Sequence, residues 1–409
     1  MSMNKILLVL IIASGFLLII YANSSIFNRR NILTIFQKDN IDPGGSSGHS
    51  SFLPGEAVAG RTAHLIGSNG VAIGLKPNEL KRVRYIPKEN NATEYNIFVI
   101  YTKEGQNQIL RNKFELFLKS LLKYATVPLH LHVITDEQSE LSAEELIKEQ
   151  IEHYRKAIVF YTLYDVKDCA EKIEDIVKSM LPLFNYKTGS YYSDALFLIS
   201  LGLHRIVNVN MKRAILIDCD VVFRSSVKEL FDQFDYFNPD HLFGLAPELT
   251  PVYLHILFKY RAQNPYTLFG TPYYLNGSSS ALLTNSVGGF FGRTARKTRH
   301  GYPGLNSGVV MLRLDRIRQS RLYEEIIKPE SVKNMVEKYS FKGHLGDQDF
   351  YTLMGFEFPG LIYRLDCIWN RQLCTWWKEN GYGNVFDSYF HCEGAIKVYH
   401  GNCNTRVPE

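Results

Sequence analysis

The sequence predicts an α/β fold with a largely parallel or mixed central sheet, in one globular domain behind an N-terminal transmembrane anchor. Three observations support this prediction. Short runs of β-branched and aromatic residues alternate with helical patterns, which is typical of α/β layering. Apolar residues make up 45% of the chain and charged residues 21%, a globular composition that excludes a disordered, collagenous or multi-pass membrane chain. One uncharged apolar run lies near the N-terminus.

The apolar run covers residues 6–22 and reads ILLVLIIASGFLLIIYA. It is short for a membrane-spanning helix but longer than the usual apolar region of a cleaved signal peptide. The composition GGSSGHSS at 44–51 is typical of a flexible linker. We therefore predict a cytoplasmic tail at 1–5, a signal-anchor at 6–22, a luminal stem at 23–91 and the globular domain at 92–409. Small residues at 22–25 leave cleavage of the anchor open.

Charge and cysteine content indicate the compartment. The net charge is only +5 and no basic stripe is present, so no nucleic-acid partner is predicted. Positive residues flank the apolar run almost equally, so charge alone does not orient it. Six cysteines and two Asn-x-Ser/Thr sequons, at Asn91 and Asn276, favour an oxidising lumen for the C-terminal body.

The regular elements of the body follow from local patterns. Strands are predicted at 96–102, 129–135, 157–163, 213–217, 309–314 and 396–399. Helices are predicted after Ser-x-x-Glu capping boxes at Ser142 and Ser226, and from Ser193 to Leu203. Ligands of such sheets bind beyond the carboxyl ends of the strands, so residues that follow a strand are the first candidates for a site.

Two carboxylates directly follow the apolar strand AILI. Asp218 and Asp220 are one residue apart, so in an extended chain they point to the same side. Hard divalent cations bind oxygen ligands of this kind, and such an ion could bridge the carboxylates to a nucleotide diphosphate. A solvated strand-to-turn junction is the alternative, and the pair alone leaves both open.

A histidine ends a late strand. His400 follows the run IKVY and precedes Gly401, so its imidazole could reach the same metal. Two carboxylates and an imidazole suit manganese better than calcium. A strand-end histidine with only a packing role is the alternative.

Four motifs occur in a characteristic order, namely Asp-x-Asp after a strand, Asn306-Ser307-Gly308, Asp347-Gln348-Asp349 and His400-Gly401. In this order they resemble family 8 glycosyltransferases, over roughly residues 95–409. Several segments further resemble the xylosyltransferases of that family: GHLGDQDFYTLMG at 343–355, LDCIWNRQLCTWW at 365–377, YHGNCNTRVPE at 399–409, and the stretches 188–194 and 251–261. The resemblance implies a Rossmann-like GT-A fold, a nucleotide-sugar donor, manganese, and retention of the anomeric configuration.

The resemblance also implies roles for individual residues. The implied metal ligands are Asp218, Asp220 and His400. The implied contacts to a UDP-xylose donor are Ile100, Tyr101, Thr102, Cys219, Ser307, Leu345 and Gln348. The implied acceptor contacts are His255, Ile256, Leu257, Phe258, Gln348 and Trp377.

The activity that the resemblance implies moves xylose, in α1,3 linkage, onto the xylose of xylose-α1,3-glucose O-linked to serine on EGF-like repeats of Notch-type receptors. A double displacement with retention needs a carboxylate nucleophile. Gln348 is an amide, so we favour front-face attack, with the departing phosphate oxygen taking the acceptor proton. Gln348 and Asp349 are the candidate catalytic residues, and Asp347 and Asp349 remain candidate nucleophiles or orienting groups.

Each implied role has a structural alternative. Asn306-Ser307-Gly308 could be only a turn, Gln348 a helix cap, and Trp377 a core residue. Cys219 and Phe258 depart from the pattern, which has an aliphatic residue and tryptophan there. The stretch 270–303 matches little, and is either a mobile solvated loop, a lid or a contact to an acceptor protein.

Four of the six cysteines lie near the C-terminus, at spacings that fit no common zinc pattern. Two disulfides among them are expected, and three pairings are possible. With the resemblance in view, our hypothesis is Cys367–Cys392 and Cys374–Cys403, with Cys169 and Cys219 unpaired.

Two other interpretations stay open. The chain could be another family 8 transferase, such as a glucoside xylosyltransferase, or a non-catalytic luminal sugar-binding protein with the same fold. Three intact metal ligands argue against the second. The resemblance favours a single-pass type II protein of the endoplasmic reticulum membrane, with the Golgi as second choice. A homodimer is kept as a candidate assembly, although no sequence feature decides it.

Overall fold

The strands of the protein form two sheets. A computed structural model describes residues 84–85, 94–106, 108–184, 195–274 and 300–408. Its strands are β1 (Arg84–Tyr85), β2 (Asn96–Tyr101), β3 (Leu129–Thr135), β4 (Val159–Asp165), β5 (Ala214–Ile217), β6 (Val221–Phe223), β7 (Phe243–Pro247), β8 (Leu305–Leu312), β9 (Ile362–Arg364), β10 (Arg371–Gln372) and β11 (Val398–His400). The large sheet has the order β1-β4-β3-β2-β5-β8-β7-β9, and the small sheet has the order β10-β11-β6.

The large sheet is mixed, as predicted. Strands β4, β3, β2 and β5 are parallel to one another, β8 is antiparallel to β5 and β7, and β9 is parallel to β7. The carboxyl ends of β2, β5, β7 and β9 therefore meet the amino end of β8 at one edge of the sheet. Residues that follow β2, β5 and β7 are therefore brought to the edge at which β8 begins.

Helices cover both faces of the sheet. The α-helices of the described residues are Gln108–Lys123, Glu140–His153, Val166–Glu171, Glu174–Phe184, Ile199–Ile206, Val227–Phe231, Val252–Ile256, Phe258–Gln263, Leu314–Gln319, Arg321–Ile326, Pro329–Lys338, Asp347–Glu357 and Gly383–Tyr389. Alternate residues of the central strands enter two different cores: Leu216 and Val310 enter one, and Ile217 and Val309 enter the other. Because both faces are covered, these strands read as continuous apolar runs.

Two predictions about element starts need correction. Ser142 lies inside the helix Glu140–His153, whose N-cap is Ser139, and its hydroxyl accepts a hydrogen bond from Arg111. The predicted capping box at Ser142 is therefore wrong. Asn306-Ser307-Gly308 lies within β8, because β8 begins at Leu305 and not at Val309.

Other local predictions are confirmed. The strand predicted at 129–135 is β3, and Ser226 is an N-cap whose side chain accepts a hydrogen bond from the N–H of Lys228. The helix Asp347–Glu357 begins after Gly346, which has a φ of +62°, a conformation that favours glycine. This start puts the Asp347-Gln348-Asp349 motif in the first helical turn.

The small sheet carries His400 to the site. Strand β6 follows Asp220 directly and pairs with β11, with Val221 opposite His400. The hypothesised disulfides Cys367–Cys392 and Cys374–Cys403 are both present, and the second joins the segment after β10 to the segment after β11. Cys169 and Cys219 are free.

Several predictions fall outside the described residues: the anchor at 6–22, most of the stem at 23–91, both sequons, the segment 188–194 and residues 275–299 of the stretch 270–303. Within the part of the chain that the structure describes, helices that combine the length and the apolar character needed to span a membrane are not found.

Candidate active site

The two carboxylates predicted as metal ligands lie where β5 ends. Asp218 follows Ile217, and its N–H donates to the carbonyl oxygen of Gly308 in the neighbouring strand, 3.0 Å away. The Nε2 atom of His400 is 3.5 Å from Oδ2 of Asp218 and 3.4 Å from Oδ1 of Asp220. The structure thus brings these three side chains together, with their possible ligand atoms within 4.8 Å of one another.

Charge coupling within this cluster is strong. Burial lowers the pKa of His400, but Asp220 and Asp218 raise it, with a net value of about 10. Burial raises the pKa of Asp220, but His400 and Lys113 outweigh burial, so this pKa is lowered. Lys113, on the helix Gln108–Lys123, donates to Oδ2 of Asp220 at 3.1 Å. Asp218 and Asp220 therefore stabilise positively charged groups beside them.

The donor set of the cluster fits a divalent cation. Two carboxylates and an imidazole nitrogen that gives up its proton to the cation suit manganese. His400 is only 4% exposed, whereas Asp218 is exposed, so the cluster is closed towards the protein and open towards solvent. This openness leaves room for a cation to contact a phosphate as well.

A glycine makes the close packing of His400 possible. A Cβ atom on Gly308 would lie 2.2 Å from Cε1 of His400 and 2.4 Å from its Nδ1 atom. No side chain larger than hydrogen fits there without moving the imidazole.

Gln348 lies in the first turn of the helix Asp347–Glu357, beside β8. Its Oε1 atom accepts a hydrogen bond from the N–H of Ser307 at 3.4 Å. Its Nε2 atom donates to Oε2 of Glu248 at 3.2 Å and to the hydroxyl of Tyr253 at 3.3 Å. Both amide protons are therefore engaged, and among the described residues the amide oxygen accepts this one hydrogen bond.

The two aspartates beside Gln348 have structural hydrogen bonds. Asp349 is fully buried and accepts from the hydroxyl of Tyr253 and the N–H of Leu345. Burial raises its pKa to about 7, although these hydrogen bonds lower it. These contacts fit an orienting group for Tyr253, whereas a nucleophile needs access to substrate.

Asp347 is held by two hydroxyls. It accepts from Ser200 at 2.5 Å and from Ser307 at 3.0 Å. Burial raises the pKa of Asp347 to about 7, and the hydrogen bond from Ser200 opposes this shift. Asp347 therefore positions the Ser307 hydroxyl at the amino end of β8.

The predicted donor contacts lie on several different elements. Ile100 and Tyr101 close β2, which pairs with β5, and Thr102 follows them. The Tyr101 side chain is buried and stacks on Phe114, so it can offer a donor only its backbone. Half-buried Cys219 lies between the carboxylates, and half-buried Leu345 precedes the Gln348 helix.

The predicted acceptor segment divides into two pairs. Ile256 and Leu257 are core residues in the structure, because the short helices here turn those positions inward, so their side chains cannot meet an acceptor. His255 and Phe258 are exposed. His255 lies 5.6 Å from the half-buried ring of Trp377, measured between centroids.

Sequence reasoning missed one buried acidic residue of the site, Glu248. Glu248 follows β7 and is 3% exposed, with Oε1 accepting from the N–H and hydroxyl of Thr250 and Oε2 accepting from Asn306 and Gln348. Burial raises the pKa of Glu248, and the hydrogen bonds from Asn306 and Thr250 lower it. An acidic residue directly after the apolar run FGLAP was the available signal.

Known proteins resemble this chain closely. No protein-family model matches it. Xyloside xylosyltransferase 1 of Mus musculus is 37% identical over 350 residues, which are 84% of this chain and 81% of the mouse protein. The Homo sapiens xyloside xylosyltransferase 1 is 38% identical over 323 residues, 77% of this chain and 75% of the human protein. The crystal structure of the mouse protein in its apo form matches with a TM-score of 0.68 and 38% identity, covering 77% of this chain and 99% of that one.

Proposed function

Because this chain belongs to the xyloside xylosyltransferase 1 family and is a xylosyltransferase, we propose that it transfers xylose from UDP-xylose, in α1,3 linkage, to the xylose of xylose-α1,3-glucose. The acceptor unit is O-linked to serine of an EGF-like repeat. The reaction retains the anomeric configuration and depends on manganese.

The single observation that carries this proposal is the convergence of Asp218, Asp220 and His400 at the sheet edge from which Gln348 also projects. When bound, a divalent ion would neutralise negative charge on the departing diphosphate. Asp218, Asp220 and His400 would hold it. Lys113 adds a positive charge at this edge, because its ammonium group donates a hydrogen bond to Asp220.

The chain's own groups favour front-face attack. The sugar–phosphate bond breaks, a bond forms between the anomeric carbon and the acceptor oxygen, and the acceptor proton passes to the departing phosphate oxygen. Gln348 would set its amide oxygen beside the developing positive charge on the sugar, where an electron pair stabilises it without forming a bond. Asp349 is buried beneath Tyr253, which argues against its service as a nucleophile.

The acceptor would meet the surface formed by His255, Trp377 and Tyr382. Nδ1 of His255 lies 2.6 Å from the Tyr382 hydroxyl, and the rings of Trp377 and Tyr382 are 5.2 Å apart. An aromatic face with a polar tip suits a sugar ring, whose C–H groups pack on the face while its hydroxyls bond the tip.

The proposal includes a location. The Cys367–Cys392 and Cys374–Cys403 disulfides support an oxidising lumen. We place the enzyme in the endoplasmic reticulum membrane, as a type II protein held by residues 6–22.

The test is transfer of radiolabelled xylose from UDP-xylose by the full-length chain. The acceptor is a folded EGF repeat that carries xylose-glucose, and the same repeat with glucose alone is the acceptor control. UDP-glucose and UDP-galactose are the donor controls, and Asp220→Asn is the variant.

Manganese-dependent transfer to the xylose-glucose repeat by the parent, with none by Asp220→Asn, is the expected result. Equal transfer to the repeat with glucose alone would contradict the acceptor assignment. Faster transfer from another sugar nucleotide would contradict the donor assignment.

A further inference from the structure

A buried chain of hydrogen bonds connects Gln348 to His400. It runs from Gln348 to Glu248, on to Asn306 and Asn370, and ends at Nδ1 of His400. Its distances are 3.2, 2.9, 2.8 and 3.0 Å in that order. All five side chains are at most 9% exposed, so water cannot replace a missing partner at low cost.

Backbone N–H groups fix the direction of this chain, because they can only donate. The N–H of Gly308 donates to Asn306 at 3.0 Å, so the Asn306 atom there is the oxygen. The Asn306 amide nitrogen then faces Glu248, whose Oε2 atom must accept. At the other end of the same carboxylate, the N–H of Thr250 donates to Oε1 at 2.9 Å.

A carboxylate is thus the group that position 248 requires. Each neighbour whose hydrogen-bonding direction is fixed donates to the Glu248 carboxylate. In a glutamine at this position, the NH₂ group would face one of these donors.

The consequence at His400 concerns which nitrogen is free. The Asn306 oxygen accepts from the amide nitrogen of Asn370, so the Asn370 oxygen faces Nδ1 of His400. Nδ1 must therefore keep its proton. Nε2, which faces Asp218 and Asp220, is therefore the nitrogen that can exchange its proton for a cation.

The consequence at Gln348 concerns which amide atom faces outward. Oε2 of Glu248 binds the amide nitrogen, so the oxygen turns towards the N–H of Ser307. The atom presented to the site is an electron-pair donor and not an N–H group.

We propose that Glu248 is a positioning residue that orients both the His400 imidazole for metal binding and the Gln348 amide for sugar transfer. The Gln348 branch rests on the proposed function, whereas the His400 branch requires only that the cluster binds a cation.

The experiment measures manganese affinity by titration calorimetry without nucleotide, and turnover at saturating manganese, on the full-length chain. Glu248→Gln keeps the shape but removes one acceptor. We expect its manganese dissociation constant to rise at least about tenfold, the low end for a group that orients a metal ligand, and its kcat to fall. Glu357→Gln is the matched control, because Glu357 pairs with Lys338 at the far end of the Gln348 helix.

A second variant moves the charge one step along the chain. In Glu248→Gln/Asn306→Asp, the new carboxylate accepts from the Gly308 N–H, from Asn370 and from the glutamine NH₂ group. Manganese affinity should return towards the parental value, but kcat should not, because Gln348 still faces the NH₂ group of the glutamine.

Asn370→Ala interrupts the His400 branch alone and tests it even where Glu248→Gln does not fold. We expect weaker manganese binding, with a smaller fall in kcat at saturating manganese than in Glu248→Gln. A dissociation constant within twofold of the parent in folded Glu248→Gln or in Asn370→Ala would overturn the proposal. So would a double variant whose manganese affinity stays as low as that of Glu248→Gln. The manganese titration needs no sugar substrate, so it tests the His400 branch even if the proposed donor or acceptor is wrong.

Discussion

Replacing Gly308 by alanine should displace a metal ligand with a single methyl group. The new Cβ atom would lie 2.2 Å from Cε1 of His400 and 2.4 Å from Nδ1. Carbon atoms in contact lie about 3.5–4.0 Å apart, so relief of the clash needs a ring shift of more than about 1 Å. Asn370 and the two carboxylates surround the ring, which leaves it little space to move within the cluster.

The expected effect follows from the tolerance of metal coordination. Ligand distances vary by only about 0.2 Å, several times less than this shift, so His400 should cease to be a ligand. We expect the manganese affinity to fall about 100-fold. Overpacking should also lower the free energy of unfolding by about 1–3 kcal/mol.

The assay is manganese titration calorimetry on the parent and two variants, together with urea unfolding. Gly202→Ala is the matched control, because its Cβ atom would lie 2.2 Å from Cγ2 of Ile173 in the apolar core. It should lose similar stability and keep its manganese affinity. Equal manganese affinities in Gly308→Ala and Gly202→Ala would refute the reasoning.

Three further predictions concern stability, pH and the acceptor. The Cys374–Cys403 disulfide closes a loop with a sequence separation of 29, so Cys374→Ser should lower the free energy of unfolding in urea by about 3–4 kcal/mol; a loss below about 1 kcal/mol would contradict this. Burial raises the pKa of Asp349 to about 7, so folding favours its protonated form. The contribution of Asp349 to the free energy of unfolding is therefore present at low pH and is lost as the pH rises from about 4 through 7. Between about pH 5 and pH 8 the free energy of unfolding should therefore fall by about 2–3 kcal/mol more in the parent than in Asp349→Asn. If the free energy of unfolding has the same pH dependence in both proteins, the raised pKa of Asp349 is wrong. Trp377→Ala should raise KM for the glycosylated EGF repeat about tenfold or more and leave KM for UDP-xylose unchanged, whereas an equal rise in both constants would mean that Trp377 only supports the fold.

The residues of the cluster were predictable because each ends or follows a strand. Asp218 and Asp220 come directly after AILI, and His400 ends a short apolar run. Position at a strand end is a local property, so it can be recognised from the sequence alone. The pairing of Val221 with His400, which joins the two parts, is non-local and has no such local signal.

Glu248 could not be identified for the opposite reason. One acidic residue after an apolar strand is common, and its importance depends on what surrounds it. Its partners Asn306 and Gln348 belong to other elements, and only the fold brings them within hydrogen-bond distance. The capping box at Ser142 failed similarly, because the helix starts earlier and the hydroxyl serves Arg111 instead.

The acceptor segment shows what a motif leaves out. The resemblance covered 255–258 as a unit, but the structure turns Ile256 and Leu257 into the core and leaves His255 and Phe258 outside. A motif gives the order of the residues, whereas the facing of each side chain depends on the local helix geometry.

The pairing of β6 with β11 has a consequence for biosynthesis. Asp218 and Asp220 leave the ribosome well before β11, the strand that brings His400 to them. A nascent chain that has not yet reached residue 400 therefore lacks the third ligand of the cation site. Cation binding by all three ligands therefore reports that synthesis has passed His400 and that β11 has paired with β6.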